Sequence, residues 1–158
     1  MENLPIPDIL ICRATRANAD IVTEFNLLGA KESANRDLDR EQVRAGVLQV
    51  LKGHPDFYLL AQANGDYIGQ LKVHHQWYDW YDSLFWWIEH VYVDPKFRRT
   101  GVSQKLLEHV WQLARANGDV KELLLHVSST NTKAITSYQK FGFDNVPLFP
   151  MRLEVKTA

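Results

Sequence analysis

Lys96, Arg98, Arg99 and Lys105 crowd a short stretch that also holds Gly101 and Ser103, and no acid follows until Glu108. The spacing of Val102, Leu106, Val110 and Leu113 makes this stretch the start of a helix. A helix N-terminus carries partial positive charge and ordinarily collects acids. Cations gathered there cost stability unless an anion is held by the free N–H groups of the first turn and by the arginines. Gly101 lets the backbone come close to such a group, and the small Ser103 keeps the approach clear. A solvated basic turn is the plainer alternative. Just upstream, Glu89 interrupts an apolar strand, Trp86 to Val93, broken otherwise only by His90. An unpaired carboxylate in such a strand gains proton affinity and suits a general base; pairing with a nearby Arg or His is the alternative. The run Trp77-Tyr78-Asp79-Trp80-Tyr81-Asp82, with Trp86 and Trp87, mixes rings with carboxylates. Such a mixture suits a cationic amine, with Asp79, Asp82 and Trp80 as contacts, while the tryptophans equally suit an interface or a partly buried hairpin.

The elements that must hold these residues follow in chain order. Residues 1–8 read as an extended tail. Ile9 to Ala14 is a strand, and Thr15 caps a helix from Arg16 to Ala30 with Ile21, Phe25 and Leu28 facing inward. A polar loop, Lys31 to Asp37, precedes a second helix capped by Asp39, with Val43, Val47, Val50 and Leu51 as its apolar stripe. Phe57 to Ala63 and Tyr67 to His75 form a hairpin about Asn64-Gly65. Trp86 to Val93 is the central strand, ended by Asp94-Pro95. The helix from Gly101 stops at Asn117-Gly118. Leu123 to Val127 is a short apolar run, as expected of a strand buried on both faces. A cap within Ser128 to Asn131 opens a helix reaching Phe141, with Gly142 as its left-handed stop. Phe143 to Val146 and Met151 to Val155 read as closing strands.

Two motifs lie in this frame. Arg98-x-x-Gly101-x-Ser103 follows a strand ending Val-x-Val-Asp-Pro, and Asn131-x-x-Ala134-x-x-x-Tyr138-x-x-x-Gly142-Phe143 lies beyond the next helix and strand. Together they resemble the signatures of the GNAT acetyltransferase superfamily, and the Glu89 region resembles the spermidine/spermine N-acetyltransferases. The resemblance implies an α/β fold of order β-α-α-β-β-β-α-β-α-β-β, a mixed sheet with helices on both faces, opened into a V between its fourth and fifth strands. It implies acetyl-CoA as co-substrate. The diphosphate would lie on the N–H groups of Arg98, Arg99, Thr100, Gly101, Val102 and Ser103. The pantetheine arm would pair with Val91, Tyr92 and Val93 as an added strand, and the Val91 N–H would be the oxyanion donor. Asn131 and Ala134 belong to the second motif, with Asn131 capping its helix or touching the pantetheine. Tyr138 would give its proton to the departing sulfur. Glu89 is the candidate base, with His90 and His126 behind it; strand alternation places His90 on the face opposite Glu89.

At 158 residues the chain suits one domain, 1–158, with no repeat or linker to divide it. A net charge of −1 gives no broad basic face for duplex nucleic acid. No apolar run is long enough to span a membrane, and the N-terminus does not read as a signal peptide. The single cysteine, Cys12, fits a reducing cytoplasm and reads as a small core residue, which disfavours a ping-pong route through it. RRTGVS lacks the spacing and lysine of a nucleotide-binding P-loop. The preferred reading is an N-acetyltransferase moving acetyl from acetyl-CoA directly to a primary amine of a small molecule, with no metal. The alternatives are a non-catalytic acyl-CoA-binding domain, which Ser103 in place of the usual Gly or Ala would suit, and transfer to a protein or peptide amine. A homodimer is expected from the aromatic content and the family habit.

Overall fold

The computed structural model describes residues 8–155; of the tail read at 1–8, residues 1–7 lie outside them. Contacts divide the chain into two compact units, with the boundary between His126 and Val127.

The first unit holds a five-stranded sheet in the order β1-β2-β3-β4-β5. Its strands are β1 (Leu10–Arg13), β2 (Phe57–Ala63), β3 (Asp66–Tyr78), β4 (Ser83–Val93) and β5 (Val120–Leu125). The first four pair antiparallel, and β5 runs parallel to β4. The hairpin between β2 and β3 turns on Asn64 (φ 51°) and Gly65 (φ 87°), the left-handed pair that a two-residue turn of this hand requires. Three helices complete the unit: α1 (Ala19–Ala34), α2 (Arg40–Leu51) and α3 (Val102–Asn117). Asp39 caps α2 by accepting from the Gln42 N–H at 2.7 Å, an arrangement that contributes about 1 kcal/mol.

The sheet's two faces carry different cores. On one, Tyr58, Leu60 and Tyr92 pack with Ala19, Val22 and Phe25 of α1 and Val47 of α2. On the other lie the alternate residues Leu59, Leu71, Val73 and Ile88, all buried. Here α3 packs against β2, β3 and β4 with Val102, Leu106 and Val110 inward. Gly69 is obligatory at this contact: a Cβ there would stand 2.9 Å from the Tyr92 carbonyl oxygen and 3.1 Å from Val102 Cγ1.

Several expectations change. The helix read at 16–30 begins as a 3-10 turn, Arg16–Asn18, and α1 extends to Ala34, so half of the expected loop 31–37 is helical. Its inner face is Ala19, Val22, Thr23 and Phe25, with Ile21 half-buried against the same core as expected, whereas Leu28 is exposed. β5 spans Val120–Leu125 rather than 123–127, and it is half-buried to exposed rather than covered on both faces. In the second unit, α4 (Thr132–Phe141) forms as expected, but residues 143–155 form no strand. Pro147 and Pro150 lie between the two expected strands, 143–146 and 151–155. At Pro147 the chain folds into a tight turn, with the Leu148 N–H on the Val146 carbonyl at 2.9 Å.

Candidate active site

The turn between β4 and α3 presents a row of free donors. Asp94 accepts from the Lys96 N–H at 2.9 Å and starts a 3-10 turn, Pro95–Phe97. Arg99 (φ 64°) and Gly101 (φ 88°) are both left-handed. Among the described residues, no acceptor takes the N–H groups of Arg99, Thr100, Gly101, Val102, Ser103 or Gln104; the first turn of α3 closes with Lys105 N–H on the Gly101 carbonyl at 3.0 Å. No acid stands in that turn. The turn therefore offers a run of backbone donors with no acid beside them. The Arg98 side chain is used otherwise: its guanidinium grips both Glu32 oxygens, and its Nε donates to the Val93 carbonyl at 3.0 Å. It ties the turn to α1, and Tyr92 lies beneath it in the α1 core, 5.2 Å from the Phe25 ring. The Thr100 hydroxyl is spent on the Phe97 carbonyl at 2.6 Å.

The β4–β5 ladder ends at Ile88↔Leu125. Beyond it, Glu89 to Val93 have no partner on the β5 side, which is the opening expected between the fourth and fifth strands. A bulge falls in this free stretch. Tyr92 pairs with Gln70 and Glu89 with Lys72, so His90 and Val91 together oppose Leu71. His90 has φ 50°. The bulge overturns the expected alternation of Glu89 and His90. The His90 ring stacks on Tyr58, 6.5 Å between centroids and 17° between planes, and Tyr58 shares its face with Lys72 and Glu89 through the cross-strand register. Crowding by the chain lowers the His90 imidazole's pKa, and the Lys72 charge adds to that.

Glu89 is not alone on its strand. Lys72 Nζ donates to its Oε2 at 2.9 Å and lies 3.7 Å from Asp56 Oδ2. Asp56 also accepts from the His75 N–H at 2.9 Å and lies 2.8 Å from His74 Nδ1. Burial alone would raise the Asp56 carboxyl; the His75 N–H, His74 and Lys72 outweigh burial and hold it below the usual carboxylate range. Burial alone would likewise lower Lys72, but the Glu89 carboxylate holds it above the usual ammonium range. Beside this row, Asn26 donates from Nδ2 to the Tyr58 hydroxyl at 3.1 Å, and its Oδ1 accepts from Gln70 Nε2 at 2.7 Å. The sequence reading did not find Asp56, Tyr58, Lys72 or His74. A signal existed: Gln70, Lys72, His74 and Gln76 alternate with apolar Leu71 and Val73 along one strand, the mark of a polar face.

The remaining predicted residues scatter. Asp79 opens a 3-10 turn, Asp79–Tyr81, at the β3–β4 hairpin tip, and Asp82 closes it in the left-handed region. Trp80 is 80% exposed there. Six residues of strand separate Ser83 from Glu89, about 20 Å at strand rise, so Asp79, Trp80 and Asp82 are not gathered with Glu89. His126 stacks on Trp87, 4.6 Å between centroids. Cys12 is half-buried, and burial raises its thiol. In the second unit, Asn131 caps α4 by accepting from the Ala134 N–H at 3.2 Å. Gly142 (φ 120°) ends that helix. Tyr138 is half-buried on α4, edge-on to Phe143 at 5.8 Å, and burial raises its phenol.

A sequence model of the acetyltransferase (GNAT) family matches residues 21–143. The chain belongs to this family. Among solved structures, a "possible acetyltransferase" from Clostridium difficile 630 is 25% identical with a TM-score of 0.87, covering 94% of this GNAT chain and 99% of that one. The aminoglycoside N-acetyltransferase AAC(6')-Iy, solved with CoA, is 19% identical with a TM-score of 0.76 over 94% of this chain and 95% of its own, and shares the fold. N-alpha-acetyltransferase 50 of Danio rerio is 42% identical over 48 residues, 30% of this chain. The matched stretch spans only 29% of that relative. No described helix of the GNAT chain is long and apolar enough to cross a membrane.

Proposed function

We propose that the protein, acting as one domain, moves the acetyl group of acetyl-CoA to a primary amine of a small molecule by direct transfer. The observation that carries this reading is the run of unpartnered N–H groups from Arg99 to Gln104 beside the unpaired end of β4. The donors suit a diphosphate. Val91, Tyr92 and Val93 offer main-chain groups to an extended amide-bearing arm. The Val91 N–H, released from regular pairing by the bulge, is the oxyanion donor. Glu89 meets the acceptor's ammonium and serves as a base. Tyr138, assigned from its place in the second motif, protonates the thiolate as the carbon–sulfur bond breaks. Asn131 and Ala134 support that helix, and Arg98 braces the turn rather than reaching the anion.

Transfer to a peptide amine is the second reading, favoured by the N-alpha-acetyltransferase relative. A cytoplasmic location and a homodimer belong to the same proposal. Calorimetry with CoA tests the first step, and thiol release from acetyl-CoA over spermidine, sisomicin and a peptide with a free amino terminus tests the second. A folded protein that takes up no CoA refutes the reading. CoA binding without turnover on any amine class would favour an acyl-CoA-binding role instead.

A further inference from the structure

Asp56 is the carboxylate that the acetyl-transfer scheme leaves without work. It is 5% exposed, directly before β2. Burying a carboxylate costs several kcal/mol unless donors meet it, and this one has them: His75 N–H at 2.9 Å, His74 Nδ1 at 2.8 Å and the Lys72 ammonium at 3.7 Å, while His54 Nδ1, 3.5 Å away, accepts from the Asp56 N–H at 3.2 Å. An ionised carboxylate accepts only, so His74 Nδ1 must carry the proton it shares with Asp56. In the neutral ring that fixes the tautomer and leaves the lone pair on Nε2, on a side chain 41% exposed. A buried carboxylate orienting an imidazole in this way is a recurrent means of making a base of the far nitrogen.

The placement fits the acceptor side. His74 lies on the same face of β3 as Lys72, and across β4 its register partner is Trp87. Glu89, the base nearest the bulge, is already engaged by Lys72 Nζ at 2.9 Å. An amine arriving as its ammonium must lose a proton before its lone pair can attack, and that loss need not occur beside the thioester.

We propose that Asp56 and His74 form a second proton-accepting pair, with His74 Nε2 taking the proton of the incoming ammonium and Asp56 positioning the ring. The step balances. The ammonium N–H bond breaks, the proton goes to Nε2, and the freed nitrogen pair forms the bond to the thioester carbonyl carbon. The carbon–sulfur bond then breaks as the sulfur takes a proton from the Tyr138 phenol; the nitrogen, cationic once bonded to carbon, releases its second proton, which restores the phenol, and the imidazolium returns its proton to solvent. The titratable groups facing His74 are Asp56 from the segment before β2, with His54 beyond it, Lys72 and His75 on its own strand, and Glu89 across on β4.

The inference rests on the acetyl-transfer reading, and the experiment separates the two. With acetyl-CoA and spermidine, sisomicin or the free peptide, His74→Gln should lower kcat/KM by about tenfold or more near neutral pH. The deficit should narrow in alkali as the amine neutralises itself, with CoA affinity by calorimetry unchanged. Added imidazole should restore part of the rate to His74→Ala. A change under about twofold, with no rescue by imidazole, overturns the proposal. Nitrogen-15 spectra of the full chain give an answer independent of turnover. A proton on Nδ1 of His74, lost in Asp56→Asn, supports the pair, and a proton on Nε2 in the unaltered protein overturns it. Absence of CoA binding in every variant refutes the acetyl-transfer reading and leaves the tautomer measurement to decide on the pair.

Discussion

Replacing Lys72 by Met would remove the one ammonium standing between two carboxylates, at 2.9 Å from Glu89 and 3.7 Å from Asp56. Methionine keeps the length of the stem and its contacts, so the effect is electrostatic. Losing one partner of a fully buried pair costs about 3–5 kcal/mol, whereas an exposed pair is worth about 0–1 kcal/mol. The Lys72 side chain is 15% exposed, Asp56 5% and Glu89 36%, which places the loss between these limits, at about 2 kcal/mol. Its pH dependence has a definite sign. Asp56 titrates below its ordinary value in the fold, so its contribution is present above about pH 4 and is lost as pH falls through the depressed folded value. Lys72 titrates above its ordinary value, so its contribution is present below about pH 10 and is lost as pH rises through the folded value. Urea unfolding of the two proteins should therefore differ fully at neutral pH. The difference should shrink toward about pH 4 and below, where the Asp56 carboxylate stranded in the variant takes up a proton. Adding Glu89→Gln to Lys72→Met should recover part of the loss, because one stranded charge is gone. A difference below about 0.5 kcal/mol, or one identical at both pH values, would show that the three groups are not coupled as described.

Gly101→Val should weaken CoA binding by about tenfold or more in calorimetry. The left-handed φ of 88° is strained for any β-branched residue, and the donor row depends on it. Arg98→Ala should change CoA affinity far less than Gly101→Val and lower the unfolding free energy by about 0.5–1 kcal/mol, since its guanidinium serves Glu32 and the Val93 carbonyl. Tyr138→Phe should lower kcat by about tenfold to a hundredfold with CoA affinity nearly intact, and an unchanged kcat would remove Tyr138 from the reaction. Cys12→Ser should leave kcat unchanged, which stopped-flow thiol release would check against any route through an acetylated cysteine.

The parts of the fold visible in the sequence are those set by local chemistry. Asp39 caps its helix, Asn64-Gly65 turns its hairpin, Gly118 and Gly142 stop theirs, and Asp94-Pro95 ends β4. The donor row of the β4–α3 turn was legible for the same reason, since Gly101 and the missing acids are features of one short segment. The guanidinium of Arg98 was not, because its partner Glu32 lies on a distant helix. The last two expected strands, 143–146 and 151–155, do not form, and no residue inside either run announces it.

Register explains why Glu89's neighbours stayed hidden. Counting back from the Asn64-Gly65 turn without interruption sets Tyr58 against Leu71, on the wrong face. A bulge at Ala61/Gln62 shifts the pairing by one, so that Tyr58 meets Lys72. A second irregularity between Gln70 and Lys72 then sets Lys72 against Glu89 and carries His90 to the same side. A one-residue slip exchanges every side chain between faces. Two bulges therefore decide which charged groups share the Glu89 face of the sheet, although neither is marked by a residue whose type demands it. The motifs locate where an acyl donor would bind. Which charged groups stand beside Glu89 is written in the pairing of β2, β3 and β4, and it changes whenever that pairing slips.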